Sequence, residues 1–328
     1  MSLSYIKRAE LGNRSALYVF FANCATLILS LGALVLGQSL PLTVAIIIKL
    51  SAKGEKLDDV LKKLGGLKTA EDLLSFFPYH IGFTLIMMGF IFLVFALWFS
   101  LKFIQRRKFS SLWSDENRFR SKNFWIAVFI SLLLFGGSDL IIHFADPTYH
   151  TWVFDAKKFW IYLPFALILI PIQTLSEELF FRGYLYQTVG LGTNYLNKEL
   201  SWSLNSKWVA LIISAIIFGV FHFGNAEMSM GFWKMATIYI GSGLMIGLSV
   251  IISKGIEFGW GFHLVNNLYL STISTFPGSS LSGPTLFTIP KPSGDRILIE
   301  FGIQFLIFTL ILLAVYRKNV KTLFDRNA

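Results

Sequence analysis

Charge is scarce in this chain. Of its 328 residues only 15% are Asp, Glu, Lys or Arg, where soluble domains carry about 25%. With 54% hydrophobic residues, 33 Phe and a mean hydropathy of +0.61, an ordinary cytosolic globule is excluded. Disorder is excluded as well, because disordered chains lack apolar surface and this one has a surplus. Cysteine is nearly missing: Cys24 stands alone inside an apolar run, so no intramolecular disulfide can form. Two hydrolase signatures do not occur. No serine sits in a Gly-x-Ser-x-Gly elbow and there is no His-Glu-x-x-His pair. Internal repeats are not apparent. Acidic residues are outnumbered 19 to 29, giving a formal charge of +10. In a chain this apolar, that excess points to cytoplasmic loops and anionic lipid headgroups, with no nucleic acid as partner.

What is present is a series of apolar runs, each near the roughly 20 residues that a membrane-crossing helix needs. They lie at about 16–36, 79–104, 124–144, 159–189, 208–223, 232–252, 256–274 and 297–316. The expected fold is an all-α polytopic transmembrane bundle of about eight spans. After Gly37 the apolar character resumes as LPLTVAIIIKL, either a continuation of the first span or a short second segment. That first run is too long for a cleavable signal core, and no small-residue cleavage site follows it, so it is expected to be retained. Asp325 to Ala328 form neither a prenylation nor a retention signal.

With both termini cytoplasmic, 17 of the 29 Lys and Arg fall on the inner side and 11 on the outer, leaving Arg182 within a span. The bias follows the positive-inside rule. A charged stretch at about 51–76, broken by Gly65 and Gly66, reads as an outer surface helix or helical hairpin. Three regions follow: residues 1–157 with the first spans, a core at 158–275, and an outer loop, last span and basic tail at 276–328. All belong to one membrane domain.

Ionisable residues inside spans cost about 2.5–3.5 kcal/mol on insertion scales, so each is a candidate for function. Glu178 and Arg182 are four apart in the fourth run and can pair, whereas Glu177 is rotated about 100° away and has no such partner on its own helix. His222 ends the fifth run, one turn after Phe218. His263 and Asn267 share a face of the seventh. Taken singly, an ion pair, an interfacial histidine and a polar helix–helix contact explain each of these. Together they supply what amide hydrolysis requires: an activated water, a group to move protons, and donors for an oxyanion. Glu177 and His222 can fill the first two roles, His263 and Asn267 the third. The span ends set His222 toward the outer side and Glu177 nearer the inner half, so the residues can meet only in mid-membrane. Asp139 and His143, four apart near the outer end of the third run, read as an interface-level hydrogen-bonding pair. Glu257 and Glu300 each open a helix, where negative charge suits the dipole.

At these positions the sequence resembles the CAAX protease and bacteriocin-processing (CPBP) family, also called Abi or lysostaphin-resistance-A-like proteins. Glu177, Glu178 and Arg182 with Gly183-Tyr184-Leu185, then Phe218 and His222, then His263 and Asn267 match its three motifs in order, over about residues 159–274. The resemblance implies an intramembrane endopeptidase of the bacterial plasma membrane, acting on membrane-associated or hydrophobic peptides or proteins. By the same resemblance Glu177 and His222 activate water, His263 and Asn267 form the oxyanion pocket, and Glu178 and Arg182 support the site. The family is widely described as metalloproteases, so zinc is a candidate cofactor, with Glu177, His222 and His263 as its ligands. A metal-free Glu/His mechanism is preferred here, because Asn267 is a poor zinc ligand and a good amide donor. The alternatives are a non-catalytic immunity or scaffolding protein of the same fold and, further behind, a proton-coupled transporter.

Overall fold

The computed structural model describes residues 5–10, 16–54, 58, 59, 62 and 76–324. Eight helices account for most of them: α1 (Ala16–Ser51), α2 (Tyr79–Ile104), α3 (Ser121–Ala145), α4 (Ala156–Glu199), α5 (Ser206–Phe221), α6 (Phe232–Ser253), α7 (Glu257–Thr272) and α8 (Gly294–Val315). Six are long and apolar enough to cross a membrane, and the chain is an integral membrane protein. The exceptions are α5 and α7, at 16 residues each. At about 1.5 Å per residue they reach roughly 24 Å, less than a ~30 Å hydrocarbon layer.

The apolar segment after Gly37 continues the first helix. α1 runs through Pro41 for 36 residues, with no second short span. It crosses α2 closely at Gly37 and Gly89, where a Cβ on Gly37 would lie 2.9 Å from the Gly89 Cα. Such small-residue crossings let apolar helices pack tightly where hydrophobicity alone cannot drive them together. Most of the charged 51–76 stretch lies outside the described residues; Asp58, Asp59 and Lys62 are helical.

Burial sorts the helices. In α3 and α8 only 11% of the apolar window is buried, whereas α6 buries 56% and α4 44%. Large side chains such as Ile141 and Phe144 on α3 therefore face outward, as lipid contact requires. The inner bundle is formed by α4, α5, α6 and α7, with α2 against α4, α3 against α7 and α8 against α6. Helices from all three expected regions interleave, so none of these regions packs apart from the others. Where the chain turns back outside the bundle, strands β1 (Thr151–Trp152), β2 (Ser274–Thr275) and β3 (Phe287–Thr288) form a minimal sheet. Its order is β1-β3-β2, with β1 antiparallel and β2 parallel to β3. This sheet fastens the breaker-rich loop after α7 to the loop before α4.

At the opposite ends of α3 and α7, Glu257 is fully buried and clamped by Arg120. Arg120 Nε and Nη2 donate to its two carboxylate oxygens at 3.0 and 2.7 Å, and the Arg120 backbone N–H adds a third bond at 3.0 Å. Burial pulls the Arg120 pKa down, but the bonds and charge of Glu257 outweigh it and hold the guanidinium above its ordinary value. Glu257 is thus a tie between α3 and α7, more than the helix-start charge expected from sequence. Asp139 differs from expectation too. It accepts the Tyr269 hydroxyl at 2.7 Å and lies 3.5 Å from His150 Nε2, so its partners are on α7 and the β1 loop in place of His143.

Candidate active site

The motif of α4 is built on an irregularity. From Glu178 to Leu185 the helix is π-helical, and every side chain in that segment is buried. Widened turns of this kind recur at functional sites because they re-aim side chains out of the α register. Glu178 and Arg182 pair as expected, with Nη1 3.2 Å from Oε1. The guanidinium lies over Phe218, its carbon 4.1 Å from the ring centroid, and Arg182 is only 1% exposed. A cation this deep needs both the carboxylate and the ring face to offset its lost hydration.

Glu178 also receives His263. The imidazole Nδ1 is 2.8 Å from Glu178 Oε1, and a carboxylate oxygen only accepts, so Nδ1 carries the proton. The other ring nitrogen, Nε2, faces Glu177 Oε2 at 3.6 Å. Two carboxylates on adjacent residues thus hold opposite edges of one imidazole.

Glu177 has a partner on its own helix that charge spacing does not reveal. Gln173, one turn earlier, donates its amide to Glu177 Oε1 at 2.7 Å. Its carbonyl accepts from Asn267 Nδ2 at 2.9 Å, and Asn267 Oδ1 accepts from Asn266 at 2.9 Å. This amide relay fixes one oxygen of Glu177 and leaves Oε2 buried without a hydrogen-bond partner. The carboxylate is oriented, with its reactive lone pairs in reserve.

His222 caps the C-terminal end of α5. Its Nδ1 donates to the Phe218 carbonyl at 2.7 Å, which makes Nε2 the basic nitrogen of the neutral ring. Phe218 and Tyr239 lie against the ring at centroid distances of 4.3 and 4.6 Å, and Asn225 holds the Tyr239 hydroxyl at 3.0 Å.

A cavity of about 490 Å³ brings the motif residues together: Glu177, His222, His263 and Asn267 all line it, so the fourth, fifth and seventh runs do meet. Their meeting follows from α5 beginning at Ser206, before the apolar run, and from α4 and α7 packing along one another. Gln173, Asn225, Tyr239, Gln38 and Gln304 also contribute to the wall. Two of them carried a readable signal: Gln173 and Gln304 are amides within apolar runs. Gln173 could have been found as the residue one turn before Glu177. Tyr239 gives no such signal among the aromatic residues of an apolar helix.

Among the described residues no group of three His, Cys, Asp or Glu side chains is disposed to hold a metal ion. His263 commits Nδ1–H to Glu178 and turns Nε2 to Glu177 Oε2 at 3.6 Å, a pair of donors without a third among the described residues. The donor set does not fit a zinc centre.

Comparison with known proteins matches the segment in which these residues lie. Residues 157–269 match the family of type II CAAX prenyl endopeptidase Rce1-like proteins. An uncharacterized protein of Bacillus subtilis (strain 168), YyaK, is 32% identical over 206 residues, covering 62% of this chain and 64% of that protein. The chain therefore spans just under two thirds of the length of that relative. No solved structure matches it. The matched segment holds Glu177, Glu178, Arg182, His222, His263 and Asn267, and through residues 157–269 this chain is similar to the Rce1-like CAAX-protease family.

Proposed function

We propose that this protein is an intramembrane endopeptidase that hydrolyses peptide bonds of membrane-associated or hydrophobic peptides without a covalent intermediate. The observation that carries the reading is the oriented but unsatisfied Oε2 of Glu177 in the cavity it shares with His222, His263 and Asn267. A carboxylate held by one oxygen and open at the other is suited to accept a proton from water. His222, with Nδ1–H committed to a carbonyl, offers Nε2 as a second base on the same cavity.

In the proposed reaction, a water between these two groups loses a proton to Glu177 as its oxygen attacks the scissile carbonyl carbon. The developing oxyanion is met by the second N–H of the Asn267 amide and by Nε2–H of His263 in its charged form, which Glu177 and Glu178 flank. The carbon–nitrogen bond then breaks as the proton passes from Glu177 to the leaving amine. Asn267 has a second role beside the expected oxyanion one, because it anchors Gln173 and through it Glu177. The plasma membrane as location belongs to the same proposal and rests on the family resemblance, whereas both termini inside rests on the lysine and arginine distribution.

The test compares membranes carrying wild type and Glu177→Gln at equal folded amounts, by mass spectrometry of short and C-terminally trimmed peptides. Peptides present with wild type and lost with Glu177→Gln are expected, unchanged by a zinc chelator. Identical peptide profiles would overturn the reading in favour of a non-catalytic membrane factor.

A further inference from the structure

The charge of the cavity limits what can bind in it, an inference that rests on the peptidase reading above. Among the described residues lining it there is no Lys and no Arg. Arg182 lies behind the Phe218 ring and is paired with Glu178, and Lys291, whose Nζ is 3.4 Å from Ser229 Oγ, is not among the lining residues. Two carboxylates do line the cavity: Glu177, and Glu227 in the turn between α5 and α6.

Glu227 is held firmly in place. One of its oxygens accepts the Ser280 backbone N–H at 2.7 Å and the other accepts the Ser280 hydroxyl at 2.5 Å. Ser280 belongs to the loop after α7, and Leu281 beside it also lines the cavity. Both donors are neutral, so they fix the carboxylate without cancelling its charge. Counting Glu177, Glu178 and Glu227 against Arg182, the site is negative unless both His222 and His263 are protonated. Glu177 is buried, so its charge repels a further anion and attracts a cation more than it would in water, and the half-buried Glu227 adds the same sign.

We propose that the cavity takes a peptide segment that is uncharged or positively charged around the scissile bond and rejects one bearing a free C-terminal carboxylate, with Glu227 reading the positive charge. The substrate is then an internal stretch of a membrane-delivered peptide, cut at a distance from its C-terminus. Glu227 is the residue that sets this preference, and Ser280 positions it.

The experiment uses the full chain in detergent and three lipid-anchored apolar heptapeptides that differ only at the C-terminal end: free acid, carboxamide, and carboxamide preceded by Lys. Kd is measured with Glu177→Gln protein, which retains Glu227, and kcat/KM with the wild type. The amide is expected to bind at least tenfold tighter than the acid and the Lys peptide tighter again. Glu227→Gln should reduce the Lys advantage several-fold. Equal or tighter binding of the free acid, or no binding by any member, overturns the inference. Amide-selective binding with no cleavage of any peptide would sustain it and overturn the peptidase reading instead.

Discussion

The inner and outer helices of this protein solve opposite problems. α3 and α8 leave nearly nine-tenths of their apolar windows uncovered and need only be apolar, whereas α4 and α6 must fill a core between neighbours. Polar groups follow the same division. Glu177 and the π-helical segment that follows it on α4, the C-cap of α5 and the short helix α7 supply Glu177, Glu178, Arg182, His222, His263 and Asn267, nearly all buried. Such groups persist in a membrane only when each finds a partner, and here the partners are one another. Two of the three helices at the site, α5 and α7, are too short to span on their own.

The difference can be broken from the inside. Glu177→Gln should lower peptidase activity by about 10²–10⁴-fold, as loss of a general base does. Its folded yield should hold, because a glutamine carbonyl at 177 still accepts from Gln173; peptide cleavage and size-exclusion profile together check this. Gln173→Leu leaves the carboxylate present but unfixed, so a smaller loss of kcat with little change in KM is expected.

Stability gives the next contrast. Arg120→Met would leave Glu257 fully buried without its cation, a change that typically costs about 3–5 kcal/mol. The melting temperature in detergent should fall steeply, and Arg120→Lys should recover only part of it, since lysine cannot reproduce the two-pronged contact.

Glycine substitutions sharpen the comparison at smaller scale. On α6, a Cβ at Gly243 would stand 2.8 Å from the Ala215 Cα of α5, so Gly243→Ala should destabilise by about 1–3 kcal/mol. On the lipid-facing α3, Gly136 has nothing within 4 Å of such a Cβ. Gly136→Ala should be neutral or stabilising by up to about 1 kcal/mol, through helix propensity alone. Equal effects at the two positions, read by thermal unfolding in the same detergent, would remove the distinction between packed and lipid-facing helices.

Apolar length made the helices legible before any coordinates, because a span must satisfy its backbone internally and the run of side chains announces it. Charged and imidazole residues inside those runs were legible for the same reason, as exceptions to a strict rule. What could not be read was which partner each would find. The pairing of Glu178 with Arg182 is local and followed from spacing, but the capture of His263 by Glu178 joins residues 85 apart in sequence. The Glu257–Arg120 tie joins residues 137 apart. Gln173 escaped notice because an amide is a neutral residue among many, and only the geometry makes it the holder of Glu177. Asp139 shows the converse. Its i+4 neighbour His143 looked like the partner, yet Tyr269 from α7 packs against α3 and takes the bond.

Hydrolysis by a water that Glu177 activates is tested most directly with purified protein in ¹⁸O-labelled water, using a peptide identified from the membrane comparison. The account predicts one ¹⁸O atom in the new C-terminal carboxylate of the wild-type product, and no product with Glu177→Gln. Undiminished cleavage by Glu177→Gln, or a product without the label, would contradict it.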